Sequence, residues 1–261
     1  MATVFLAEWC GAVVAAKCIR QNPDANLRQE FVAETATMSK LRHPNIVQLL
    51  AASFEPNLQL ILEYCALGSL FDSLAKIREE GPESLPWLNE DRKPIMALDI
   101  ARGLMYLHTR SPPLVHRDIK SLNVLITAHY TCKLADFGLS TVSPESALIG
   151  SLAYLAPEVL LGEPASLKTD IYALALTFWE LFSEEEIFPD FQFAKDIANA
   201  VLDRNIRPPL ASIPVEYVDL ISSCWDTLPE NRPPADVVYT YLSQLISLSN
   251  PLSSTESDTF S

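Results

Sequence analysis

The residues best suited to chemistry fall in three short stretches: His116-Arg117-Asp118-Ile119-Lys120-Ser121-Leu122-Asn123, then Asp136-Phe137-Gly138, then Ala156-Pro157-Glu158. The first two supply two carboxylates, a carboxamide and a lysine. Such a set offers hard-oxygen ligands for a divalent cation, a positive charge to meet a phosphate, and a proton acceptor for a hydroxyl. Those are the needs of phosphoryl transfer, which is mostly positioning and neutralisation of charge. Directly after Asn123, the apolar Val124-Leu125-Ile126 reads as a strand, so the polar run suits a rigid loop facing a cleft. Upstream, Lys17 closes the strand-like Val14-Ala15-Ala16-Lys17, and Glu34 lies in a helical stretch. On their own, a lysine and a glutamate so placed are ordinary solvated residues.

The elements that must position these groups fall into two regimes. Thr3 to Trp9 is β-rich, Cys10-Gly11 reads as a tight turn, and Ala12 to Ile19 is a second strand. Leu27, Phe31, Met38 and Leu41 recur near a 3.6-residue period, in a helix that must stop by His43-Pro44. Ile46 to Phe54 and Leu58 to Tyr64 are two further strand-like runs. Long helices follow: one with Ile95, Leu98, Ala101, Met105 and His108 on a shared face and Asn89 near its start, then Lys168 to Phe182, Asp196 to Asp203, Val215 to Trp225 and Ala235 to Leu248. The stretch from Ile77 to Trp87 reads as a surface loop. A small β-rich lobe with one helix therefore precedes a larger helical lobe, an α+β arrangement with a cleft between the two.

Composition narrows the function classes. With 49% hydrophobic and 20% charged residues the chain is globular, and its length permits one or two domains. A net charge of −14 argues against nucleic acid and anionic lipid as partners. The five cysteines are widely spaced with no CxxC pair, which points to free thiols in a reducing compartment rather than a zinc site. The apolar run from Ile171 to Phe182 contains Thr177 and Glu180 and is too short to span a bilayer. A soluble, cytoplasmic protein is the expectation, with tethering through other parts of a larger protein left open.

Taken in order, the three stretches resemble the protein-kinase signature set of catalytic loop, Mg²⁺ loop and end of the activation segment. The resemblance covers nearly the whole chain and implies a two-lobed kinase fold. Residues 1–248 would form the kinase domain: 1–62 a small lobe lacking its first strand, 63–67 the hinge, 68–248 the large lobe. Residues 249–261 would be a disordered, Ser/Thr-rich acidic tail. The family's pattern makes Asp118 the base that orients the acceptor hydroxyl, Lys120 the cation beside the γ-phosphate, and Asn123 and Asp136 the Mg²⁺ ligands. It pairs Lys17, on the α/β-phosphates of ATP, with Glu34. It puts Leu62 at the gatekeeper position, gives backbone groups of Glu63 and Cys65 to the adenine, and walls the base with Val4, Ala15 and Leu125. Asp170 would hold the catalytic-loop backbone, Glu158 and Arg232 would form a buried ion pair, and Met38, Leu49, His116 and Phe137 would stack as a spine.

Asp118-Ile119-Lys120, with Gly150-Ser151, resembles the Ser/Thr-specific type, and the surroundings of these motifs look most like the tyrosine-kinase-like group. The implied activity is transfer of the γ-phosphate of ATP to Ser/Thr hydroxyls of protein substrates, dual specificity included. Arg117 ahead of Asp118 implies control by phosphorylation, with Thr141, Ser143 and Ser146 as the acceptor positions. The chain departs from the family at its front. Val4 matches the last residue of the Gly-rich loop, so Ala2 takes the third glycine position and the first two fall before Met1. That leaves a kinase-shaped, non-catalytic binding module as the alternative reading. Ala175, where the family usually has glycine, is a smaller departure that concerns packing.

Overall fold

Cys10 and Gly11 both take left-handed backbone conformations, with φ of 50° and 78°. That pair makes the two-residue turn whose twist suits a hairpin, and it joins β1 (Thr3–Trp9) to β2 (Ala12–Cys18). A computed structural model of the chain describes residues 3–19, 25–136, 152–191 and 193–249. Within them β1 and β2 form an antiparallel sheet with β3 (Leu49–Ser53) and β4 (Gln59–Glu63), in the order β1-β2-β4-β3. The helix α1 (Ala25–Met38) accompanies the sheet and buries Phe31 and Met38.

β3 is shorter than the apolar run from Ile46 to Phe54 suggests. Val47 N–H instead donates to Leu134 O at 2.9 Å, and Leu134 N–H donates to Asn45 O at 2.9 Å. Ile46 and Val47 thus leave the sheet to fasten the small lobe to β6 (Cys132–Leu134), the partner of β5 (Val124–Ile126).

Two expectations for the large lobe need correction. The region read as a loop from Ile77 begins inside a helix, α2 (Leu70–Glu80). Ser69 caps it: its hydroxyl accepts the Asp72 N–H at 3.1 Å, while the Asp72 carboxylate accepts the Ser69 N–H. This reciprocal cap, with Gly81 at φ 90° stopping the helix, is a local signal that the charged end of α2 obscured. The second correction concerns α3 (Arg92–His108), whose buried side holds Met96, Ala97, Ile100, Leu104 and Leu107, while Ile95 is 40% exposed. α3 packs against both β6 and α8 (Ala235–Ser249), so contacts on two sides decide which residues are covered.

The remaining helices are α4 (Pro157–Leu160), α5 (Leu167–Ser183), α6 (Ala194–Arg204) and α7 (Val215–Cys224). Every side chain of α5 from Thr169 to Phe182 is buried, so this helix is the axis of the large lobe. No helix among the described residues is long and apolar enough to cross a membrane.

Candidate active site

The catalytic loop is built on one carboxylate. Asp170, in the first turn of α5 and 1% exposed, accepts the His116 N–H at 2.7 Å and the Arg117 N–H at 2.8 Å. Its Oδ2 also lies 2.9 Å from His108 Nε2. These bonds hold Arg117 in the left-handed region at φ 72°, a conformation that a non-glycine residue keeps only when its surroundings impose it. Complete burial lowers the pKa of His116. A neutral imidazole leaves Nδ1 free to accept the Asp118 N–H, at 3.3 Å.

The loop then gives the Asp118 carboxylate three hydrogen bonds from two donors. Lys120 Nζ lies 2.8 Å from each of its carboxylate oxygens, and Asn123 Nδ2 lies 2.7 Å from Oδ2. Asn123 Nδ2 also reaches the Asp118 carbonyl at 2.8 Å, so the amide oxygen of Asn123 is the end left for another partner. The 3₁₀ turn Ser121–Asn123 is closed by Asn123 N–H to Lys120 O, and Ala135 N–H to Asn123 O ties it to the strand leading to Asp136.

Asp136, at φ 58°, faces the small lobe, and its Oδ1 is 2.5 Å from Lys17 Nζ. Lys17 lies on β2 and is 8% exposed. The expected Lys17–Glu34 ion pair is not formed: Lys17 takes the partly exposed carboxylate of Asp136 instead. Glu34, on α1, is 5% exposed, and its Oε2 has no hydrogen-bond partner among the described residues. Burial pushes its pKa up to about 7, with Lys17 pulling the other way and Asp136 adding to the rise. A buried carboxylate without a partner is disfavoured in its charged form, the direction in which this shift runs.

Above and behind these groups, β2 and β4 set the walls. Register pairs Val4 with Lys17 and Ala15 with Leu62, which puts all four side chains on the sheet face that Lys17 extends from. Glu63 N–H is already used by Gln48 O at 3.0 Å, and its carboxylate accepts from Gln48 N–H and Lys133 Nζ. Cys65 N–H has no hydrogen-bond partner among the described residues. Its thiol is buried and its pKa is pushed up to about 11, mainly by desolvation. Below the sheet, Leu125 lies on β5, half-buried.

Comparison with known proteins decides the family. Residues 1–242 match the family model of protein tyrosine and serine/threonine kinases. The chain belongs to this kinase family. It is 37% identical over 265 residues to the serine/threonine-protein kinase CTR1 of Arabidopsis thaliana, an alignment covering 95% of this chain and 31% of that protein. It is 37% identical over 245 residues to the probable serine/threonine-protein kinase drkC of Dictyostelium discoideum, covering 89% and 31%. A relative of the same organism, the dual specificity protein kinase shkA, is 34% identical over 244 residues, covering 89% and 45%. The chain thus spans about a third of the length of the first two relatives. The suspected membership of the tyrosine-kinase-like group agrees with these similarities.

In kinase terms, the structure brings Asp118, Lys120, Asn123, Asp136 and Lys17 together, with no ion pair between Lys17 and Glu34. Glu158 and Arg232 meet in two bonds of 2.7 and 2.8 Å, both buried, with Arg232 also stacked 5.1 Å from the Tyr172 ring centroid. Met38, Leu49 and His116 are buried as the spine reading requires, while Phe137 lies outside the described residues, as do Thr141, Ser143, Ser146 and Ser151. Two supports went unread in the sequence. Asp99 on α3 accepts the Cys132 N–H at 3.1 Å, and Asn45 Nδ2 donates to Cys132 O at 2.9 Å; both hold β6 behind the site. Glu180 sits within an apolar helix, and that misplaced charge is the signal that could have marked it.

Proposed function

We propose that the chain is a protein kinase that moves the γ-phosphoryl group of ATP to Ser or Thr hydroxyls of protein substrates. The observation that carries this reading is Asp118, held by Lys120 and Asn123 in a loop whose backbone is pinned by Asp170. The acceptor hydroxyl oxygen attacks the γ-phosphorus as the bond to the bridging oxygen of ADP breaks. The hydroxyl proton passes to the Asp118 carboxylate, and Lys120, now balancing the transferring phosphoryl, moves from Asp118 towards it. Lys17 exchanges Asp136 for the α/β-phosphates, and Glu34 becomes its anionic partner.

The residues present fit a divalent cation. Asp136 and the amide oxygen of Asn123 are hard-oxygen donors, and Glu34 Oε2, without a partner among the described residues, is a ready second seat for Lys17 once Asp136 is engaged. Bound there, Mg²⁺ supplies neutralisation of phosphate charge. The adenine would be met by the free N–H of Cys65 and the carbonyl of Glu63, between Val4 and Ala15 above and Leu125 below.

Arg117 supports regulation by phosphate. Its side chain is exposed, and no carboxylate pairs with it among the described residues. A phosphate on Thr141, Ser143 or Ser146 would be received there. Mass spectrometry of active enzyme with all three unmodified would remove this proposal.

The test of activity is ATP/Mg²⁺ turnover on generic protein substrates, followed by phosphoamino-acid analysis, with Asp118→Ala as control. Phosphoserine and phosphothreonine absent from the control are expected. No turnover would favour the kinase-shaped binding module.

A further inference from the structure

The chain carries 33 acidic residues against 19 basic ones, so a place where cations gather without carboxylates stands out. One lies where the small lobe joins the large one. Arg42 and His43 follow α1 on the way to β3, Tyr106 is in the last turn of α3, and Arg110 is just beyond it. The Tyr106 hydroxyl oxygen links the two segments: it accepts the Arg42 backbone N–H at 3.0 Å and an N–H from Arg110 Nη1 at 2.9 Å. The Arg110 guanidinium stands 5.4 Å from the Tyr106 ring centroid. The His43 ring stacks on the same tyrosine, with centroids 4.7 Å apart.

The protons of this cluster all point to a missing acceptor. His43 Nδ1 accepts the Asn45 N–H at 3.1 Å, so the neutral ring carries its proton on Nε2 and presents it as a donor. Tyr106, whose oxygen already receives two N–H groups, still has its own proton to give. Arg42 directs one N–H to Leu41 O at 2.9 Å and keeps the rest of its fork. Neither Arg42 nor Arg110 pairs with a carboxylate among the described residues. The carboxylates close by have other partners: Asp99 accepts from Arg102 at 3.3 Å and from Cys132 N–H at 3.1 Å, and Glu63 holds Lys133 at 2.8 Å. Burial lowers the pKa of His43, and Arg102 and Lys133 lower it further, so the ring sits in a positive environment even with those pairs made. His43, Tyr106 and Arg110 are half-buried, which holds them in place, and Arg42 is exposed at their edge.

These groups offer more donors than the two oxygens of a carboxylate can use. A phosphate monoester brings three terminal oxygens and up to two negative charges, and guanidinium forks match its geometry. We propose that His43, Tyr106, Arg110 and Arg42 form a binding site for a phosphate monoester, of the kind that phosphoserine presents on a protein segment. A phosphate held there ties the segment that follows α1 to the end of α3. The site stands on geometry and charge and does not depend on phosphoryl transfer by this chain.

The test is a titration of the ¹⁵N-labelled 261-residue chain, followed by NMR at the His43 ring and the Arg110 Nε–H. The probes are a short phosphoserine peptide in a glycine-alanine background, its unphosphorylated twin, and inorganic phosphate. Saturable shifts are expected with the phosphopeptide and none with the twin. Kd should rise about tenfold or more in Arg110→Gln and severalfold in Arg42→Gln, since each removes a charged donor. About 0.5 M NaCl should weaken binding in the parent chain. Arg42→Gln alters an exposed side chain, so it decides the matter if Arg110→Gln disturbs α3. Binding of the phosphopeptide at least about fivefold tighter than inorganic phosphate supports a protein-borne ligand, whereas equal affinities support the site with free phosphate as its ligand. No saturable shift with either phosphate probe up to about 20 mM, or an unchanged Kd in Arg42→Gln, would overturn the proposal. Because no turnover is read, failure of the kinase reading leaves this outcome untouched.

Discussion

The two lobes hold their charges differently. In the large lobe several buried charges have their partners: Glu158 with Arg232, Asp170 with three donors, and Lys93 with Glu90 and Glu184 at 2.6 and 2.9 Å. In the small lobe Lys17 reaches out of its own sheet to Asp136, and Glu34 keeps a buried oxygen without a partner among the described residues. The difference teaches where the work is divided. A lobe whose charges are partnered in this way fixes the loop that carries Asp118, the proposed proton acceptor. A lobe with a spare carboxylate leaves its lysine a choice between two anions, so that its pairing can change when nucleotide binds.

The strongest way to break this contrast is at the fixed loop. Asp118→Asn removes the acceptor while keeping the bonds from Asn123 largely intact, and steady-state assays should show kcat down by about 10²–10⁴-fold with thermal stability unchanged. Retained turnover would place the proton acceptor elsewhere. Next in size is Glu158→Ala, which strands the Arg232 guanidinium in the core. Urea unfolding should report a loss of about 3–5 kcal/mol, and replacing both partners with apolar residues should restore much of it. A third change tests the junction between the lobes. A Cβ added to Gly103 would come 2.6 Å from the Asn45 carbonyl oxygen, the group that accepts the Leu134 N–H. Gly103→Ala should therefore cost about 1–3 kcal/mol, measured in the same way.

The smaller effects sharpen the comparison. Glu34→Gln replaces a buried carboxyl group that has no ion-pair partner among the described residues, so stability should change by less than about 1 kcal/mol, while kcat/KM for ATP falls about tenfold for want of an anion to receive Lys17. A larger loss of stability with normal kinetics would make Glu34 a structural residue. The last test is pH. The folded-state pKa of Glu180 is raised from 4.5 to about 7, so the folded protein binds more protons than the unfolded chain between those values. Its contribution to stability is full below about 4.5 and declines as pH rises towards 7. Denaturation midpoints should follow that slope, to which Glu34 adds in the same sense, and Glu180→Gln should reduce it without abolishing it.

Much of the site was legible because its residues are neighbours in sequence. His116 to Asn123 lie on one loop, and the residue types within it carry the chemistry wherever the loop is placed. The strands and most helices could be read from periodicity, and so could the division into lobes. Reading failed where contacts on two sides of an element compete, as in the buried face of α3, and where a cap outweighs a charged composition, as at Ser69.

The sequence by itself determined the family and, through Asp118, Lys120, Asn123 and Asp136, the reaction type proposed for the chain. Only the tertiary structure decided the partners. Lys17 and Asp136 are separated by 119 positions, and the choice between Asp136 and Glu34 depends on which carboxylate is desolvated. Nothing local to Arg42 announces Tyr106 or Arg110. Burial and distance select between chemically equivalent groups, and both are properties of the packed chain.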